Sequence, residues 1–273
     1  MTPLFSSIAI VVYLLAAAWL GRQLFLRKDR PAGLKLKLLA FAGLALLLHG
    51  CVLYQKIFAP TGLELGFYNA LSLMGWVITL MVVLIAQLRP AENLAMVFLP
   101  MTALALLLEQ VFNIDHMVVS RTDTIGLKVH ILLSIGAYGL LAIAAVQALV
   151  LALQDYLLRH KHPVQVMRTL PPMQTMEDLL VQLITIGFFL LSLSLATGLM
   201  FVHDIMAQHL AHKVALSILA WVLYGWMLLG RWFRGWRGKR LVRWALGGFI
   251  LLVLSYFGSK LVLELILHRS YAW

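Results

Sequence analysis

The sequence predicts an all-α polytopic membrane protein, a bundle of eight transmembrane helices with both termini on the outer (periplasmic) side. Three observations carry this prediction. Of 273 residues, 62% are apolar and only 12% charged, at a mean hydropathy of +0.92; soluble domains carry roughly 45–50% and about 25%. Apolar runs of bilayer-crossing length, about 20 residues each, recur along the whole chain. Most basic residues fall on alternate connectors between those runs. A water-soluble globular enzyme is thereby excluded. Strands are excluded on similar grounds, because the runs are far too long for barrel segments and lack period-two alternation.

In order, the spans cover approximately 4–26, 37–55, 67–88, 93–111, 127–153, 179–202, 213–230 and 244–267. Met1 to Ser7 carries no Lys or Arg and leads into a run too long for a secretory h-region, so the first span is expected to be retained. Arg22, Arg27, Lys28, Arg30, Lys35 and Lys37 separate spans one and two, and Arg89 follows span three. Arg159, Lys161 and Arg168 follow span five; Arg231, Arg234, Arg237, Lys239, Arg240 and Arg243 separate spans seven and eight. The positive-inside rule places these sixteen in the cytoplasm, opposite Lys56, Arg121, Lys128, Lys213, Lys260 and Arg269. The net charge of +11 is therefore mostly a topology signal. No nucleic-acid partner is expected, since the charge is spread over several short loops; the lipid bilayer is the partner the composition demands.

The connectors are short and contain no repeat or low-complexity linker, so residues 1–273 read as a single integral membrane domain. The longest cytoplasmic connector, Gln154 to Asp178, holds Leu170-Pro171-Pro172-Met173, which breaks a helix, and Thr175 with Asp178, which can cap the next one. The lone Cys51 excludes an internal disulfide, and there is no CxxC or CxxCH for metal or covalent haem. HExxH, GxSxG, Walker and GxGxxG patterns are also missing, so hydrolysis and nucleotide chemistry have no support.

The nine histidines divide unevenly. His160 and His162 lie in a cytoplasmic connector, whereas His49, His116, His130, His203, His209, His212 and His268 map to the outer half or outer loops. Neutral imidazole is a good ligand for haem iron and transition metals. His130 opens span five and His268 closes span eight at the same membrane level. Two imidazoles at matched depth on different helices can ligate one iron from opposite faces of a planar macrocycle, or can simply be hydrated at the interface. His49 lies a turn or more inside span two, as a hydrogen-bonded core residue, an inner ligand or a propionate contact. His209 and His212 share a helix face at i, i+3. With His203 and Asp204 they suit zinc or copper, or form the polar face of a short extramembrane helix. Lys128 and Arg121, with Lys56 and Lys213, are positioned either to meet haem propionates or to snorkel. Lys260 and Glu264, i and i+4 on span eight, read as a mutually neutralising pair.

From about residue 67 to 273 the chain resembles the cytochrome c assembly superfamily of haem-handling membrane proteins (the CcsA/CcmC type), and most of all its small eight-span HemX/YpjD branch. The resemblance is carried by Leu127-Lys128-Val129-His130-Ile131-Leu132-Leu133-Ser134 with Ala137-Tyr138, by Leu170-Pro171-Pro172 with Met176-Glu177-Asp178-Leu179, and by Ile186-Gly187-Phe188 leading to Thr197-Gly198. It continues through Trp221, Tyr224, Arg231 and Gly235-Trp236-Arg237-Gly238 to Tyr256-Phe257-Gly258 and Leu267-His268-Arg269-Ser270-Tyr271. Upstream, Phe67-Tyr68 to Gly75-Trp76 resembles the family's third-span entry. The resemblance implies that two outer histidines, here His130 and His268, ligate haem. Two departures stand out. The family's Trp/Asp-rich loop falls here on residues 201–213, which contain no tryptophan, and Leu229-Gly230 occupies the place of an inner-span histidine before Arg231.

The expected function is that of a bacterial cytoplasmic (inner) membrane protein, multi-pass, which handles non-covalent haem b near the outer face by His130 and His268 and passes it to a partner. The alternative is a membrane scaffold or regulator of another membrane protein that has lost haem transfer. A haem or metal transporter ranks below both, because the spans are largely unbroken. No enzymatic activity is expected, and haem lyase activity least of all without the tryptophan-rich loop.

Overall fold

The computed structural model describes residues 2–26, 33–59, 62–64, 66–112, 118–120, 125–160, 170–201 and 211–258. His116, Arg121, His162, His203, His209, Lys260, Glu264 and His268 lie outside them. The helices group into two compact units, taken in turn.

The first unit holds α1 (Thr2–Leu26), α2 (Leu34–Ile57), α3 (Phe67–Leu88) and α4 (Glu92–Val111). Each packs on its sequence neighbour, and α1 also packs on α4, closing a four-helix bundle. The stripe on α1 is Ala9, Tyr13, Ala16, Leu20 and Leu24, all buried, at spacings of three or four. This spacing keeps one face towards the neighbouring helices. Lipid is as apolar as leucine, so burying apolar surface supplies little drive between helices in a bilayer; small residues that permit close packing matter more. Ala9, Ala16, Ala42, Ala45 and Ala103 provide them. Polar ties set the register. The Thr79 and Thr102 hydroxyls are 2.7 Å apart, and Thr102 Oγ1 donates to the Gly75 carbonyl at 3.0 Å, joining α3 to α4. Trp76 Nε1 donates to the Leu46 carbonyl at 2.8 Å. Lys35 Nζ donates to the Gln87 carbonyl at 2.9 Å, and Gln87 Nε2 donates back to the Lys35 carbonyl at 3.2 Å. Gln110 Nε2 donates to Ser7 Oγ at 3.3 Å, which sets the start of α1 beside the end of α4.

Three short strands, β1 (Phe58–Ala59), β2 (Gly62–Glu64) and β3 (Val118–Ser120), form an antiparallel sheet in the order β1-β2-β3. The spans are helical as expected, but the exclusion of strands does not hold for this sheet, whose segments of two or three residues lie between the predicted spans.

The second unit holds α5 (Ile125–Arg159), α6 (Met173–Phe201), α7 (Ala211–Arg234) and α8 (Lys239–Val253), the last continuing into a π-helical turn, Leu254–Gly258. Helix α5 lies along α6 and also meets α8, while α7 packs on both α6 and α8. Close approach is made by glycine: a Cβ on Gly187 would fall 2.8 Å from Leu141, and one on Gly248 2.7 Å from the Tyr224 ring. Helix α6 begins at Met173, ahead of the start that a cap at Thr175 would give. The prolines at 171 and 172 set the boundary, and Asp178 is engaged elsewhere. Arg231 Nη2 meets Asp178 Oδ1 at 3.2 Å and Arg231 Nη1 donates to the Trp236 carbonyl at 3.1 Å, while the Gly238 amide donates to Glu177 Oε1 at 2.7 Å. The α7–α8 turn is thus bolted to the start of α6. Gly238 holds φ +56°, in the left-handed region that favours glycine. Glu177→Ala is expected to cost about 1.5–3 kcal/mol, the range for a hydrogen bond to a charged group, read as a shifted midpoint in SDS unfolding. An unchanged midpoint would show that the turn holds itself.

Among the described residues seven helices, α1 to α7, are long and apolar enough to cross a membrane. Their ends fall within a few residues of the predicted limits, except that α5 runs about six residues past its limit, to Arg159, and α6 begins about six residues ahead of its own, at Met173. Large apolar side chains such as Leu15, Leu47, Leu132 and Phe189 are exposed, as lipid-facing residues should be.

Candidate functional site

Of the two histidines singled out at matched depth, His130 is described. It stands on the second turn of α5, about 7 Å from the helix start at 1.5 Å per residue. Neighbouring α6 runs back past it and ends at Phe201. His130 Nδ1 lies 2.9 Å from the Ser194 carbonyl oxygen and 3.4 Å from Thr197 Oγ1. A carbonyl can only accept, so Nδ1 carries the proton and the ring's lone pair lies on Nε2. Nε2 has no hydrogen-bond partner among the described residues. A backbone carbonyl on one ring nitrogen is the usual support for an imidazole that ligates a metal through the other.

The surrounding residues hold the ring in place. Ser134 Oγ donates to the His130 carbonyl at 2.7 Å, which leaves the Ser194 hydroxyl to donate to Ser134 Oγ, also at 2.7 Å. Gly198 supplies the space: a Cβ there would lie 2.8 Å from His130 Cε1 and 3.2 Å from Nδ1. Further along the unit, Ser255 Oγ donates to the Lys213 carbonyl and the Ser217 hydroxyl meets Ser255, both at 2.9 Å. Trp221 stacks on Phe188 and donates through Nε1 to Ser192 Oγ at 2.8 Å.

In the first unit, His49 is fully buried. Its Nδ1 is 3.3 Å from the Tyr13 hydroxyl and its Nε2 is 2.9 Å from Ser72 Oγ. Ser72 donates to Glu109 Oε2 at 3.0 Å, and Lys56 Nζ meets Glu109 Oε1 at 2.8 Å. Of the readings open for His49, this geometry is that of a hydrogen-bonded core histidine with both ring nitrogens engaged. Lys56, one of the cations considered for a propionate, is paired with Glu109.

Lys128 is exposed, two residues before His130, a spacing that sets the two side chains on different helix faces. Arg121 and His268 lie outside the described residues. Of the histidines considered for zinc or copper, His212 is exposed at the start of α7, and His203 and His209 are not described. Among the described residues no group of three potential metal ligands is brought together. The residues the sequence did not single out are Ser194 and Gly198 beside His130, and Tyr13, Ser72 and Glu109 around His49. Of these, only Glu109 carries a signal that could have found it, a carboxylate inside a span.

The family described as cytochrome C assembly protein matches residues 38–267, which reaches upstream of residue 67 and takes in His49. The inner membrane protein YpjD of Escherichia coli (strain K12) is 33% identical over 267 residues, covering 97% of this chain and 99% of the relative. The cytochrome c biogenesis protein CcsA of Prochlorococcus marinus (strain MIT 9303) is 31% identical over 102 residues, 37% of this chain and 31% of the relative. No solved structure matches the chain. The chain belongs to the cytochrome c assembly protein family and is a multi-pass inner-membrane protein.

Proposed function

We propose that this protein binds and handles haem, holding a b-type haem near the outer face of the inner membrane with His130 and His268 as the two ligands. The observation that carries the reading is the commitment of the His130 Nδ1 proton to the Ser194 carbonyl at 2.9 Å, which leaves Nε2 as the ligating nitrogen. Two neutral imidazoles suit a reversible, low-spin, non-covalent site. What the chain's own residues do is orient one imidazole, fix its tautomer and keep its ring half-buried between α5 and α6. The reading takes the chain as one integral membrane domain of eight spans with both termini outside. It takes residues 244–267 as the eighth span, of which the part in α8 and its π-helical turn is described, with His268 closing it. Lys128 and Arg121 are the cations this reading offers to the haem propionates, with snorkelling to water as their alternative role.

The test is an absorbance spectrum of protein purified after haem-replete expression. A low-spin Soret band and a pyridine haemochrome are expected, and the His130→Ala/His268→Ala double variant should lose both. Full haem content in that variant would refute the ligand assignment. A second reading, a scaffold or regulator of a partner membrane protein, is favoured by the lack of tryptophan in residues 201–213. It predicts that the wild type itself purifies without haem.

A further inference from the structure

The buried polar chain of the first unit is not used by the haem reading, and its hydrogen bonds have a direction. Glu109, paired with the Lys56 ammonium, accepts from Ser72. With its own proton given to Glu109, Ser72 can only accept from His49 Nε2, which must therefore be protonated. His49 Nδ1 is then an acceptor and takes the Tyr13 proton. Five side chains on four helices thus form one line, Tyr13 to His49 to Ser72 to Glu109 to Lys56, with links of 3.3, 2.9, 3.0 and 2.8 Å. Tyr13 lies about eleven residues into α1, near mid-span, and Tyr13, His49 and Glu109 are each at most 1% exposed. Lys56 ends the line at the close of α2, beside the end of α4, with 21% of its side chain exposed.

We propose that this line is a proton relay joining the Tyr13 hydroxyl, deep in the bundle, to the water at the membrane face where α2 and α4 end. In one shift a proton passes from Tyr13 to His49 Nδ1, another from His49 Nε2 to Ser72, and a third from Ser72 to Glu109. Three bonds to hydrogen break and three form, leaving a phenolate, a neutral carboxyl and the other imidazole tautomer. The carboxyl proton reaches water by way of Lys56, whose ammonium gives one proton to water and is restored by the carboxyl; the same steps run backwards return the line to its starting state with solvent hydrogen one link further in. Helix pinning alone does not call for such a line. The same unit joins α3 to α4 through Thr79, Thr102 and the Gly75 carbonyl, with no ionisable group. Ionisable side chains inside a membrane are costly and recur where protons or ions move. Here every inner link can both give and take a proton. The relay requires no haem and stands whether or not His130 is a ligand.

The test uses the full-length protein in lipid nanodiscs with 15N-labelled histidine. After transfer to D2O, exchange of the His49 Nε2 proton is followed by NMR, with His49→Gln identifying the signal. Ser72→Ala removes one link and is expected to slow exchange about tenfold or more, while Ser72→Thr, which restores the hydroxyl, recovers the rate. Thr102→Val, which cuts the neutral tie between the same helices, should leave the rate near wild type. Should Ser72→Ala prove unstable, Glu109→Gln breaks the line at its carboxylate and is expected to slow exchange similarly. Exchange as fast as wild type, or faster, in either variant would overturn the relay. So would an equal slowing in Thr102→Val.

Discussion

With His130 a haem ligand as proposed, replacing Gly198 by alanine is expected to strip haem from the protein while leaving its fold intact. The new Cβ would lie 2.8 Å from Cε1 of His130, closer than such atoms approach, and 3.2 Å from Nδ1, itself a tight contact. Because α5 and α6 pack closely along their length, the ring rather than the helix has to yield. Turning away breaks the bond from Nδ1 to the Ser194 carbonyl and re-aims Nε2. Loss of a partner that orients a metal-bound histidine typically lowers affinity about 10–100-fold, so haem recovered per protein, read as pyridine haemochrome, should fall to a small fraction of wild type. Stability should move little: overpacking costs about 1–3 kcal/mol, while alanine in place of a helical glycine returns up to about 1 kcal/mol. Undiminished haem in Gly198→Ala would mean that His130 does not ligate from this position.

How much of this could be read beforehand depended on whether the signal was local. Span limits are local, because about 20 apolar residues bounded by charge or proline define a helix without reference to neighbours. That is why Leu88, Arg89 and Pro90 mark the end of α3, and why Pro171 and Pro172 mark the start of α6. The inward face of α1 was not legible, because the helix is apolar all round and only the packed bundle shows that Ala9, Tyr13 and Ala16 face inward. Nor was the small sheet, since strands of two or three residues carry no periodicity. The candidate site divides in the same way. His130 was conspicuous as an imidazole opening a span, but Ser194 and Gly198 acquire meaning only once the register of α6 against α5 is known. His49 was recognisable as buried and polar. Its partners come from α1, α3 and α4, and which residues of those helices face one another is a property of the bundle that no single segment encodes.

The two members of the Lys56–Glu109 pair are expected to respond unequally to substitution. Lys56→Met should be the more damaging, because it leaves a carboxylate that is 1% exposed with no cation beside it. Stranding a buried charge in this way typically costs about 3–5 kcal/mol. Glu109→Leu strands an ammonium that is already 21% exposed and ends its helix, so the long side chain can snorkel to water. Most of the penalty then falls on Ser72, whose hydroxyl loses its acceptor, at about 1–3 kcal/mol for an unsatisfied buried donor. The double variant removes both charges, and the cost of burying them, and should recover most of the loss seen in Lys56→Met. Equilibrium unfolding in SDS of the wild type, both single variants and the double variant supplies the cycle. A coupling near zero would mean that the two groups do not meet in the bilayer. Equal losses in the two single variants would mean that Glu109 is as accessible to water as Lys56, and that the bundle is open where this geometry has it closed.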